Sequence, residues 1–205
     1  EDSVVKADML KQVRDNEAFI TRKLEEAFAE LYRKQKDNPK PLTGNNFLVV
    51  ETLRSYIKQV LRIDMDYAPF TYRESEKRFW KEHKLNQSLS VRFKGSIDRI
   101  DEKNGITRII DYKSGRGDLN YKELKDLFDS SKNNRAKPIL QTFIYAYFYD
   151  KIVPNRLISP GIYYMRTSFK TFSSTITCNG EQIDDISIYF DAFEALFHAT
   201  ILELF

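Results

Sequence analysis

Three side chains carry the most chemistry for their spacing: Asp98 in Val91-Arg92-Phe93-Lys94-Gly95-Ser96-Ile97-Asp98-Arg99, and Asp111 with Lys113 in Ile109-Ile110-Asp111-Tyr112-Lys113. Side chains of a strand alternate between its two faces, so Asp111 and Lys113 share one face while Ile110 and Tyr112 point away. In the upstream segment Val91, Phe93 and Ile97 take one face and Arg92, Lys94, Ser96 and Asp98 the other, with Asp98 expected at the strand end. Between the two segments stands Glu102-Lys103-Asn104-Gly105, and Asn-Gly is a strong signal for a tight hairpin. Such a hairpin brings both acids to one place. Neighbouring carboxylates repel, and a hard divalent cation, Mg²⁺ or Mn²⁺, is the usual remedy. Held by Asp98, Asp111 and the backbone carbonyl of Tyr112, a cation of this kind binds a scissile phosphate oxygen and lowers the pKa of a bound water. Lys113 then orients or deprotonates that water, or stabilises the developing negative charge.

The surrounding pattern supplies elements to position these groups. From Ser3 to Lys36 the apolar residues Leu10, Val13, Ile20, Leu24, Ala27, Phe28 and Leu31 recur at helical steps, which predicts one long amphipathic helix ended by Asn38-Pro39-Lys40-Pro41. After Gly44, Asn45 or Asn46 is placed to cap a second helix with the stripe Val50, Leu53, Tyr56, Ile57, Val60 and Leu61. Thr71 to Trp80, Val91 to Asp101 and Thr107 to Lys113 read as a three-strand meander. Helices are expected over Tyr121 to Asp129 and Pro138 to Asp150, strands over Gly161 to Arg166 and Thr171 to Thr177, and a last helix over Ile183 to Phe205. That order implies an α+β or mixed α/β domain with helices against a sheet. A single domain is expected over 1–205: helices over 1–66, core sheet and motif helices over 67–178, and a C-terminal helix over 179–205.

Composition sets the outer limits. The 205 residues suffice for a sizeable core, and 41% hydrophobic with 31% charged residues suits a folded chain with a solvated surface. A net charge of +3, from 33 basic and 30 acidic residues, neither demands nor forbids a nucleic-acid partner. The one cysteine, Cys178, excludes an internal disulfide framework and points to a reducing, cytoplasmic setting. No stretch approaches the roughly 20 apolar residues of a membrane span. The first residue is not Met and the last residues stop inside an apolar pattern, as expected of a piece of a longer chain.

Three segments in order, Gly95-Ser96-Ile97-Asp98-Arg99-Ile100-Asp101, Asp111-Tyr112-Lys113-Ser114-Gly115 and Gln141-Thr142-Phe143-Ile144-Tyr145-Ala146, resemble the PD-(D/E)XK nuclease superfamily. Within it they resemble the RecB-like branch that includes AddB-type subunits of helicase–nucleases. The likeness covers roughly Thr71 to Arg166. It implies a restriction-endonuclease-like core, with a central mixed sheet of about five strands flanked by helices. It also implies a Mg²⁺- or Mn²⁺-dependent deoxyribonuclease, an exonuclease in DNA repair, with DNA as substrate and a helicase subunit or helicase-like domain as partner. The matched positions make Asp98 and Asp111 metal ligands, Lys113 the catalytic lysine, and Gln141 with Tyr145 a helical motif beside the site. Residues four apart share a helix face, so that amide and phenol both face the metal site or a DNA phosphate.

Two departures stand out. The branch carries a ligating histidine in the helix before the first strand; the segment from Asn46 to Leu61 has none, and Glu51 is the nearest substitute. An acid on the first strand, Glu76 in preference to Glu74, is the other candidate ligand. The branch's cysteine-rich iron–sulfur stretch is absent within these residues and belongs only to a longer chain. The missing histidine leaves a second reading open: a nuclease fold that binds DNA or scaffolds without cutting. Arg116, with Lys122, Lys125, Lys132, Arg135 and Lys137, is placed to track a phosphate backbone, and a solvated loop serves equally well. His83, expected in a charged loop, and His198 receive no role.

Overall fold

The computed structural model describes residues 3–31, 44–131, 136–154, 156–170 and 172–204. Its elements in chain order are β1 (Ser3–Val5), α1 (Ala7–Asp15), α2 (Glu17–Leu31), α3 (Asn45–Tyr67), β2 (Phe70–Lys84), β3 (Ser90–Lys103), β4 (Ile106–Lys113), β5 (Asn120–Tyr121), α4 (Lys137–Asp150), β6 (Leu157–Tyr164), β7 (Thr177–Cys178), β8 (Glu181–Gln182) and α5 (Phe190–Leu202). Two compact units result, Val4–Phe70 and Thr71–Phe205, the latter joined by the first residues of the chain.

The first unit is helical. Ile20, Leu24 and Val50 form its buried centre with Phe28 against them, and Arg54 joins α3 to α2 through the Thr21 hydroxyl at 2.8 Å. The single long helix expected over Ser3 to Lys36 is not formed. Ser3–Val5 is a strand, and the helix breaks at Asn16, whose side chain accepts the Phe19 N–H at 3.0 Å. An asparagine that satisfies a helix's first free amides starts a new helix in place of continuing the old one. Residues 32–36, the terminator Asn38-Pro39-Lys40-Pro41 and the Leu31 side chain lie outside the described residues. At the start of α3 the cap position is held by Gly44 at φ +59°, where a residue without Cβ fits, and not by either asparagine.

The second unit carries the five-stranded sheet of order β1-β2-β3-β4-β6 and a small sheet of order β5-β7-β8. β2, β3 and β4 pair antiparallel, and β6 runs parallel to β4 after the crossover through α4. The turn between β3 and β4 forms where Asn104-Gly105 predicts it, with both residues at positive φ (54° and 78°). One face of the sheet packs against α4 and α5 through Ile97, Ile100, Ile109, Phe143, Tyr147, Phe193 and Phe197. This mixed sheet with flanking helices is the architecture expected.

Three local expectations fail, two of them because short polar side chains capture nearby amides. Tyr121 to Asp129 is no α-helix: Asn120–Tyr121 is β5, followed by a single 3-10 turn over Leu124–Leu127, and Asp118 and Asp129 accept the amides of Asn120 and Ser131 at 2.9 Å each. The last helix starts at Phe190 in place of Ile183, because Asp185 accepts the N–H groups of both Ile158 and Ser187 at 3.0 Å and ties that turn to β6. Thr171 lies outside the described residues, and of the strand expected through Thr177 there remain a lone bridge from Thr175 to Gly161 and β7.

Candidate active site

β3 and β4 part company at the residues singled out by type. Their ladder runs from Lys103 opposite Ile106 to Arg99 opposite Ile110 and stops there. Beyond that point β3 stays paired with β2 as far as Ser90, while β4 stays paired with β6 as far as Lys113 opposite Tyr164. Asp98 is therefore inside β3 and not at its end as expected, yet it stands one residue past the end of the ladder. Its Oδ2 accepts the Tyr112 N–H at 2.8 Å, taking the place of a strand carbonyl. A residue's N–H and C=O leave an extended strand on the same side, so the Tyr112 carbonyl faces the opening too.

The alternation of β3 is interrupted here. Ile97 and Ile100, an odd number of residues apart, both sit in the core cluster. Glu76 occupies the register position opposite Asp98, between the pairs Ser75–Arg99 and Lys77–Ile97, and its φ is +49°. A positive φ inside a strand re-aims the chain locally and costs energy for a residue with a Cβ. The interruption lets Asp98 leave the exposed face of the ribbon while Ile100 returns to the core.

On β4, Asp111 is 1% exposed. Burial is the main cause that pushes its pKa above the ordinary carboxylate range; Lys113 opposes the shift and the Asp98 charge adds to it. The two acids therefore sense each other. Lys113 Nζ lies 2.5 Å from the buried Asp111 Oδ2 and donates to Gln141 Oε1 at 3.0 Å; Gln141 Nε2 donates to the Tyr145 hydroxyl at 2.6 Å. Lysine has only donors, so Gln141 must turn its oxygen to Lys113 and its NH₂ to Tyr145, which leaves the phenol proton free to point elsewhere. α4 positions this chain because Gln141 and Tyr145 are one turn apart above a buried stripe of Ile139, Thr142, Phe143 and Ala146.

Asp98, Asp111, Lys113, Gln141 and Tyr145 thus meet around one opening. Glu76 is exposed and accepts a hydrogen bond from the Ser96 hydroxyl at 3.1 Å. Glu51 belongs to the helical unit, where it pairs with Arg54 at 3.0 Å. Arg116 is exposed beside a cavity of about 610 Å³ lined also by Gly117, Tyr121, Lys122, Pro138 and Tyr164. Lys132 and Arg135 lie outside the described residues. Among the described residues no cluster of three or more His, Cys, Asp or Glu side chains is arranged to hold a metal. Two carboxylates with the Tyr112 carbonyl nevertheless form an all-oxygen donor set of the kind Mg²⁺ and Mn²⁺ prefer, and a cation would offset the repulsion that Asp111 carries. The residues fit such an ion.

Sequence reasoning missed two features. Tyr164, beside Lys113 in the sheet, has its phenol pKa raised by burial first and by Asp111 and Asp118 next. A Cβ on Gly117 would collide with the Tyr164 ring, so only glycine lets the loop after Lys113 pass there. His83, in β2 and not in a loop, meets His198 at 3.3 Å across a separation of 115 residues.

The sequence profile of the PD-(D/E)XK nuclease superfamily matches residues 3–203. The chain belongs to that superfamily. Its members are generally metal-dependent nucleases, and the mixed five-stranded sheet with flanking helices is consistent with the superfamily's restriction-endonuclease-like fold. No curated protein matches the sequence. Among the described residues no helix is long and apolar enough to cross a membrane.

Proposed function

We propose that this PD-(D/E)XK superfamily member is a DNA nuclease that hydrolyses phosphodiester bonds, acting as the nuclease domain of a RecB- or AddB-like helicase–nuclease in cytoplasmic DNA repair. The observation that carries this reading is the continuous group of Asp98, Asp111, Lys113, Gln141 and Tyr145 at the point where β3 and β4 separate. A divalent ion held by Asp98, Asp111 and the Tyr112 carbonyl would activate water and offset charge on the scissile phosphate. The protein's own groups do the rest. The Asp98 bond to the Tyr112 amide fixes that acid against the other strand, so its carboxylate does not need to reorganise when the substrate arrives. Gln141 holds the Lys113 ammonium beside Asp111, ready to move to a phosphate oxygen or to the attacking water. Tyr145 fixes the amide and keeps a proton to donate to a neighbouring phosphate.

A DNA-binding or scaffolding module without turnover is the second reading, favoured by an α3 that carries no histidine. One assay separates the two. The 205-residue chain is incubated with linear single- and double-stranded DNA and Mn²⁺, alongside Lys113→Ala and Asp111→Ala. Cleavage by the parent that both substitutions abolish is expected; equal products from all three proteins would overturn the nuclease reading.

A further inference from the structure

Trp80, the only tryptophan of the chain, is 65% exposed on the β2–β3 ribbon. Leaving the largest aromatic side chain in water forgoes its burial energy, and an aromatic surface rimmed by charge marks a binding site. Its neighbours say what kind. Lys94 stands directly across the ribbon from Trp80, Arg78 lies two residues earlier on the same strand, and the Arg92 guanidinium lies 5.4 Å from the indole centroid. No carboxylate pairs with Arg78, Arg92 or Lys94 among the described residues. Together with Phe79 and Gly95 they line a groove of about 430 Å³. Two acids flank it, Glu82 held by Ser90 and Glu76 held by Ser96.

The groove is joined to the active site in two ways. Along β3, the alternating positions Arg92, Lys94 and Ser96 lead from the tryptophan to the interruption at which Asp98 leaves that face for the active site. The four residue steps from Lys94 to Asp98 span roughly 13 Å of strand, within reach of a few nucleotides. Through the ribbon, Gly95 backs onto Tyr145: a Cβ there would lie 3.1 Å from the Tyr145 ring, and Tyr145 is bonded to Gln141 and so to Lys113.

We infer that Trp80 with Arg78, Arg92 and Lys94 is a subsite for single-stranded DNA, in which an unpaired base stacks on the indole and the cations take the flanking phosphates. This rests on the nuclease reading and sharpens its substrate to a strand with exposed bases. The choice of occupant follows from the chemistry: three unpaired cations fit a polyanion, and a flat exposed ring fits a base face and not the paired interior of a duplex.

With one tryptophan among twelve tyrosines, indole fluorescence excited beyond the tyrosine absorption band reports this site alone. In EDTA, a thymidine oligonucleotide should quench it saturably, an abasic oligonucleotide of equal length should bind without comparable quenching, and a blunt duplex should quench far less. Trp80→Ala should weaken oligonucleotide binding, followed by anisotropy of a labelled strand, about 5- to 100-fold, the range for loss of one base–aromatic stack. Trp80→Phe should recover most of that loss. No quenching by the oligonucleotide, equal quenching by the duplex, or unchanged affinity in Trp80→Ala would each overturn the subsite. The Mn²⁺ cleavage assay keeps the two readings apart. Lys113-dependent cleavage without quenching removes the subsite and leaves the nuclease; quenching without cleavage removes the nuclease and leaves the DNA site.

Discussion

Asp101 and Asp111 are both withdrawn from solvent, at 0% and 1% exposure, and both lie on the central hairpin, yet their surroundings are opposite. Asp101 is saturated. Arg108 grips it with two bonds, Nε to Oδ1 at 2.9 Å and a terminal guanidinium nitrogen to Oδ2 at 2.8 Å, and Arg99 adds Nε to Oδ2 at 2.9 Å. The same arginines reach the hydroxyls of Tyr163 and Tyr112 at 3.1 Å. Asp111 has one lysine, with Nζ 2.5 Å from its Oδ2, and a neighbouring acid that raises its pKa further. A buried charge that is fully bonded holds strands together; one left short of partners is costly and is kept for what it will bind.

The largest expected effect separates the two on activity. Asp111→Ala or Lys113→Ala should reduce metal-dependent cleavage at least about a thousandfold, roughly 4 kcal/mol of barrier, with little loss of fold. Residual cleavage near the parent level in either variant would break the comparison at once. On the structural side, Asp101→Ala leaves two buried guanidinium groups without their anion and should cost about 3 kcal/mol of stability or more, read by urea denaturation. A stable Asp101→Ala protein would mean that the arginines find other partners and that Asp101 is no keystone.

Gln141 tests how much of the contrast depends on the lysine. Gln141→Ala frees Lys113 Nζ from one of its two holds and should lower kcat about 10- to 100-fold, the usual loss when an outer partner of a reactive group is removed. Tyr145→Phe keeps the ring packing but removes the acceptor for the Gln141 amide, so its effect should be the smaller of the two. A larger loss in Tyr145→Phe would show that the phenol touches substrate directly.

Much of this contrast is legible in the sequence, and unevenly. Asp111 and Lys113 share a face by alternation alone, and Asn104-Gly105 fixes the hairpin that carries them. The Asp101–Arg108 pair follows from the same turn, since its register places them directly opposite, but nothing local marks that face of the sheet as buried. The spacing of Gln141 and Tyr145 gives their shared helix face; the relay to Lys113 needs the crossover that lays α4 on the sheet. Asp98 was placed by parity, and the parity rule succeeds only up to the interruption opposite Glu76. The failures at Asn16, Tyr121 to Asp129 and Ile183 come from side chains capturing amides a few residues away, a competition that hydrophobic periodicity does not register. Trp80 lay open to the same alternation that located Asp98, because it shares parity with Arg78 and sits across from Lys94.

The smallest effect is the most discriminating, because its sign differs between the two acids. Asn keeps the shape of Asp and removes its charge. At Asp101 the change strands two arginines and lowers stability. At Asp111 the folded-state pKa is raised, by burial first, so the ionised carboxylate opposes folding; that group's stabilising contribution is present below the ordinary carboxylate pKa and is lost as pH rises through the folded value. In metal-free buffer Asp111→Asn should therefore match the parent near pH 4 and exceed it at pH 7, by less than about 1 kcal/mol, or a Tm gain of about 1–3 °C. Lys113, 28% exposed in its side chain and still bonded to Gln141, can turn toward water when its anion is gone. Millimolar Mn²⁺ should then raise the Tm of the parent and not of the variant, since an ion that binds only the folded state stabilises it by mass action. An Asp111→Asn protein less stable than the parent at pH 7 without metal would place Asp111 beside Asp101 as a structural acid, and the distinction between them would fall.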